Sequence, residues 1–136
     1  VDVEAVFVGL RDNANTIPEL RCFEYVPDSI APPCFFPVEV EIEFDRAFGR
    51  GMDELTVRCQ VLVAHGSDRS GQRLLKGYLA GDGPLSLKAA LHSDPTLGGA
   101  CDDLRVRRVA GYRLYVHNGV TFYGAELDIH IIGEGD

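Results

Sequence analysis

No stretch of this chain approaches the ~20 consecutive apolar residues that a helix needs to cross a bilayer. The first residues also lack a basic region followed by an apolar core, so neither secretion nor membrane insertion is expected. Positive charge is scarce: 13 Lys and Arg stand against 21 Asp and Glu, for a net charge of −8. A chain of that sign does not hold nucleic acid by neutralising phosphates. The four cysteines, Cys22, Cys34, Cys59 and Cys101, include no C-x-x-C pair, which removes the close spacing of a zinc or redox motif. They are expected to be reduced and to serve as small hydrophobes in or near the core. Internal repeats and low-complexity tracts are missing, as are the G-x-S-x-G, H-E-x-x-H and dinucleotide-binding glycine patterns.

Three places come near to chemistry and stop short. The run Gly66-Ser67-Asp68-Arg69-Ser70-Gly71-Gln72-Arg73 has the glycine spacing of a phosphate loop. Gln72 and Arg73, however, stand where that loop needs Lys and then Ser or Thr, so both the phosphate clamp and the magnesium ligand are lost. Ser67 is better read as a helix N-cap, with Asp68 in the first turn. The histidines His65, His92, His117 and His130 form no pair at helical spacing, and pairing about Asn118-Gly119 sets His117 opposite Val120, far from His130. Asp102 and Asp103 are neighbours in an extended segment and face opposite ways, so they cannot work as a carboxylate pair. No enzyme activity, cofactor or metal is expected.

What the chain does contain is pattern. Its 136 residues suit a single domain, 1–136, with one core. Asn118-Gly119, flanked by Tyr115, Val116, Val120 and Phe122, predicts a hairpin with a type I′ turn. A second antiparallel pair is predicted upstream. Val38, Val40, Ile42 and Phe44 alternate with Glu39, Glu41 and Glu43; Leu55, Val57, Cys59, Val61 and Val63 alternate with Thr56, Arg58, Gln60 and Leu62. Residues 45–54 read as the flexible connection between them, and Arg58 as the nearest partner for the glutamates. A weaker strand is predicted at 20–26, followed by an extended proline segment (Pro32, Pro33, Pro37) suited to a sheet edge or a surface-hugging arm. Helices are predicted over 3–14, from Ser67 to a glycine cap at Gly81, and over 85–92 with Pro84 at a first helical position. In the long hairpin Val109 is out of phase with Leu104, Val106, Tyr112, Leu114 and Val116, as expected of a bulge near Gly111 or Gly124 or of a strand apolar on both faces. The expected class is α+β: a mainly antiparallel sheet of two hairpins with helices packed on one face.

Residues 86–100 read S-L-K-A-A-L-x-S-D-P-T-L-G-G-A, and D-D-L-R-V, a G-Y-x-x-Y strand, a tight turn and G-A-E-L-x-I-x-I-I follow. With Y-V-P-D-S-x-x-P-P at 25–33 and the helix after Arg69, this wording resembles the tail terminator family of long-tailed bacteriophages of actinobacteria. The resemblance implies a structural virion protein, built in the host cytoplasm and kept in the neck of the particle. In that family a hexameric ring ends polymerisation of the tail tube, meets the head-closure or connector protein, and lets DNA pass through its lumen without specific binding. Another neck ring, such as head closure or connector adaptor, is the neighbouring alternative, and a small-ligand or peptide-binding domain a more distant one. Within a ring, Glu39, Glu41 and Glu43 are candidates for an acidic channel lining, along which phosphates slide without sticking. Phe48, Met52, Val109 and Tyr123 are candidates for subunit or partner contacts. The proline arm and the glycine-rich loop at 48–52 are segments of the kind that order on docking.

Overall fold

Asn118 and Gly119 close a two-residue turn with φ of 51° and 79°, both in the left-handed region that a type I′ hairpin requires. The computed structural model describes residues 1–44, 51–66 and 69–134. In chain order these form α1 (Val3–Ala14), β1 (Arg21–Cys22), β2 (Cys34–Glu43), β3 (Met52–Ala64), α2 (Ser70–Leu79), α3 (Leu87–His92), a 3₁₀ turn at Leu97–Gly99, β4 (Asp103–His117) and β5 (Val120–Glu134). The sheet has five strands in the order β1-β2-β3-β5-β4. It is mixed: β1 runs parallel to β2 and the other neighbours are antiparallel. The architecture is α+β, with three helices packed against a mostly antiparallel sheet.

The two predicted hairpins do not stay apart. Strand β5 inserts between β3 and β4 and pairs with β3 along its whole length, Met52 opposite Glu134 and Ala64 opposite Phe122. One core row therefore crosses four strands, Val40–Val57–Ile129–Val106, and a second runs Ile42–Leu55–Ile131–Leu104. Onto these rows pack Val6, Leu10 and Ala14 of α1, Leu75 and Tyr78 of α2, and Leu87 and Leu91 of α3. Helix α1 starts where Asp2 accepts from the N–H groups of Glu4 and Ala5 at 3.0 and 3.3 Å, satisfying donors that the first turn leaves free. The Asn13 amide then ties α1 to the end of α3, donating to the carbonyls of Leu91 and Asp94 at 3.0 and 2.9 Å.

Several local expectations change. The strand expected at 20–26 shortens to Arg21–Cys22, because the chain leaves the sheet edge to cross its open face. There Phe23 and Ile30 cover a second cluster of Cys34, Phe36, Leu62, Tyr115 and Phe122, joined by Val38 of β2, which a register shift between Pro37 and Glu39 turns to this face, away from the expected row of Val40 and Ile42. The proline segment is thus an arm lying on the sheet, and Asn118 anchors it by donating to the Asp28 carbonyl at 2.7 Å. Strand β2 ends at Glu43, leaving Phe44 outside the apolar row and exposed. Strand β3 begins at Met52, so Met52, Asp53 and Glu54 belong to the ladder and not to the connection.

The helix start expected at Ser67 and Asp68 lies outside the described residues. At the far end of α2, Ala80 leaves in an extended conformation, so no left-handed glycine cap forms at Gly81. Helix α3 begins at Leu87, two residues later than expected, with Pro84 in the preceding turn. Ser86 decides that start: its buried hydroxyl donates to the Ala80 carbonyl at 2.7 Å and accepts from the Ala89 N–H at 3.1 Å.

The phase break in β4 has two causes. Register shifts fall between Val106 and Arg108 and between Ala110 and Arg113. The first returns Val109 to the face of Leu104 and Val106, opposite Leu127; the second sets Leu114 opposite Tyr123. Gly111, with φ of 69°, supplies the left-handed residue at the second shift. Gly124 keeps regular register with β3 and lies across from the end of the second shift, paired with Arg113.

Candidate functional site

The alternation in β2 and β3 leaves one sheet face to the helices and puts charge on the other. Across that open face the register aligns Glu39, Arg58, Asp128 and Arg108, one from each of four adjacent strands. The signs alternate along the row, and each neighbour is in contact. Arg58 reaches Asp128 at 3.1 Å and Glu39 at 3.5 Å, and Arg108 reaches Asp128 at 3.6 Å. The Asp128 carboxylate is the main cause of a raised Arg58 pKa. The next row is Glu41, Thr56, His130 and Arg105, from which His130 reaches Glu54 in the row beyond. Exposed pairs of this kind contribute roughly 0.2–1 kcal/mol each, so the rows steer and register more than they stabilise.

Strand β4 is an outer edge of the sheet and is 15 residues long. Arg105, Arg107, Arg108 and Arg113 are exposed along it, and Arg113 lies 4.4 Å over the Tyr115 ring, a cation–π distance. Its other face leaves Val109, Tyr112, Leu114 and Val116 between 41% and 67% exposed. An edge that is long, apolar on one side and unpaired is what soluble proteins ordinarily blunt or cover. Among the described residues no strand pairs with it.

The sequence-derived candidates fall in separate places. Glu39, Glu41 and Glu43 stand side by side on β2, exposed, with Glu39 already held by Arg58. Val109 lies on the exposed β4 edge, in line with Leu114 and Val116. Tyr123 is half-buried against the main core, its ring 5.1 Å from that of His65. Met52 is half-buried at the start of β3, and Phe48 lies outside the described residues. Sequence reading missed the arginine edge, since a two-residue period sets Arg105 and Arg108 on opposite faces and the shift after Val106 brings them to one. The abundance of arginine in that stretch was the available signal.

A recess of about 380 Å³ lies between the arm and the hairpin tip, lined by Ile30, Pro32, His65, His117, Asn118 and Phe122 among others. His117 is engaged there with Gln60 at 3.2 Å and stacks edge-on to Phe36. The thiols of Cys34, Cys59 and Cys101 are buried and that of Cys22 half-buried, none in a disulfide. Burial pushes all four thiol pKa values up, Cys22 and Cys34 to about 12 and Cys101 to about 11. Among the described residues no three His, Cys, Asp or Glu side chains are grouped to hold a metal ion. Comparison with protein-family models and with curated protein sequences returns no match to this chain.

Proposed function

We propose that this chain is a structural virion protein: a tail terminator, one subunit of a ring at the head-proximal end of the tail tube of a long-tailed bacteriophage. The ring ends tube polymerisation and offers its other surface to the head-closure or connector protein. In this role the subunit's partners are further copies of itself, the tail tube protein and the connector. The open sheet face with Glu39, Glu41 and Glu43 looks toward the lumen through which DNA passes.

The observation that carries the proposal is the β4 edge, where Val109, Tyr112, Leu114 and Val116 are exposed on a strand whose outer side pairs with no other strand among the described residues. Burial inside an assembly relieves that exposure. The resemblance of residues 25–33 and 86–132 to the tail terminator family supplies the particular assembly. A phage lacking this protein is expected to make overlong tails that carry no heads. Filled heads that leak DNA beside tails of normal length would move the protein to head closure, and normal particles would overturn the neck role altogether.

A further inference from the structure

We propose that copies of this chain join head to tail, the β4 edge of one pairing with residues 38–43 of β2 in the next, antiparallel and in continuous register. The inference rests on the reading that the chain assembles with itself, and it names the two surfaces that meet.

The direction follows from the topology. Strands β2, β3, β5 and β4 alternate in direction, so the first and last of them run oppositely. A rotated copy laid beside β4 with the same face upward therefore presents β2 antiparallel to it. No two-fold axis is needed, and the contact is heterologous, the type that generates rings.

The charges give the register. Both open-face rows end in opposite signs: Glu39 and Arg108 in one, Glu41 and Arg105 in the other. Extending the sheet by one copy without a shift sets Arg108 against the neighbour's Glu39 and Arg105 against its Glu41, so the alternation continues unbroken across the junction. The row ending in Glu43 and Asp103 has acids at both ends, which leaves the pairing to the other two. On the helix side the same register brings Leu104 to the neighbour's half-buried Ile42 and Val106 to its half-buried Val40, where His92 has to release the Val106 N–H it holds in the free subunit to the incoming strand.

The ends of the paired segment also match. Strand β1 occupies the outer edge of β2 at Cys34 and Phe35, so the run open to a neighbour begins beyond it. Strand β4 shifts register between Ala110 and Arg113, the point at which an incoming strand has to bend away from β1.

The test uses the full chain with two edge variants, Glu39→Lys/Glu41→Lys and Arg105→Glu/Arg108→Glu, whose folding is checked by circular dichroism. Native mass spectrometry and sedimentation velocity report association. Each variant alone is expected to lose at least tenfold in self-association. Mixing the two is expected to restore it, with copies alternating and only even-numbered rings formed. Rings that survive either reversal, or folded variants that fail to rescue each other, would overturn the edge pairing and leave the neck role to the tail-length phenotype. A wild-type chain that stays monomeric up to millimolar concentration overturns the pairing as well.

Discussion

The hydroxyl of Tyr115 donates to the carbonyl of Gly111 at 2.6 Å, bridging the second bulge of β4. The bulge needs a residue with φ of 69°, and a Cβ at Gly111 would lie 2.6 Å from that same hydroxyl oxygen. Gly111→Ala therefore combines left-handed strain with a collision and is expected to cost about 1–3 kcal/mol in urea unfolding. Tyr115→Phe removes only the hydrogen bond and should cost about 0.5–1.5 kcal/mol. A Gly111→Ala protein as stable as wild type would show that the bulge does not need this geometry.

Ile129 stands in the middle of the core row, paired with Val57 on one side and Val106 on the other, and is fully buried. Truncating it opens a cavity that backbone ladders on both sides hold open. Ile129→Ala is expected to lose about 2–5 kcal/mol in denaturant unfolding. A loss well under 1 kcal/mol would mean that the row collapses around the gap.

His92 accepts the Val106 N–H at 3.0 Å, which its ring can do only while neutral. Burial, with Lys88 and Arg105 close by, holds its pKa below the usual 6.5, against the pull of Asp103. The unfolded chain takes up the proton near pH 6.5, while the native ring resists it. This contribution to stability is therefore complete above pH 6.5 and lost as the pH falls through the lower native value. Between pH 7.5 and 5 the wild type should lose more melting temperature than His92→Gln, which keeps an acceptor and does not titrate. Parallel curves would remove His92 from the pH response.

Thiol reactivity follows from burial. At pH 8 an alkylating reagent should add to all four cysteines of the unfolded chain. In the native protein Cys34, Cys59 and Cys101 should stay unmodified over the same interval, and half-buried Cys22 should react slowly. Intact-mass spectrometry reads the adducts directly. Rapid native modification of Cys59 would contradict its place in the core.

Much of this fold was legible because the signals were local. Asn118-Gly119 sets its own backbone conformation, and the alternations in β3 and in β2 from Glu39 to Glu43 declare their faces, whereas Val38 is turned over by the register shift after Pro37. The start of α1 is written in Asp2 and in the apolar spacing from Val3 to Ala14. What escaped was settled at a distance. The residues after Cys22 abandon the sheet because the arm finds Phe36, Leu62 and Phe122 to cover. The start of α3 waits for Ser86 because Ala80, on another helix end, accepts its hydroxyl. The acidic row of the candidate site could be read from period-two alternation. The basic row could not, since a bulge resets the count between Arg105 and Arg108.

Strand β5 comes last among the described strands, yet it lies inside the sheet, with β3 on one side and β4 on the other. On the ribosome, β3 emerges long before its inner partner does. At about 5–20 residues per second the wait lasts on the order of several seconds. Throughout that interval Val57, Cys59 and Val61 belong to a ladder with an open inner side, so β2 and β3 make an incomplete template and not a finished half. The order of manufacture thus runs against the order of the layers: the middle of the sheet is made after its flank, and the nascent chain carries an unsealed strand until its final hairpin turns back at Asn118.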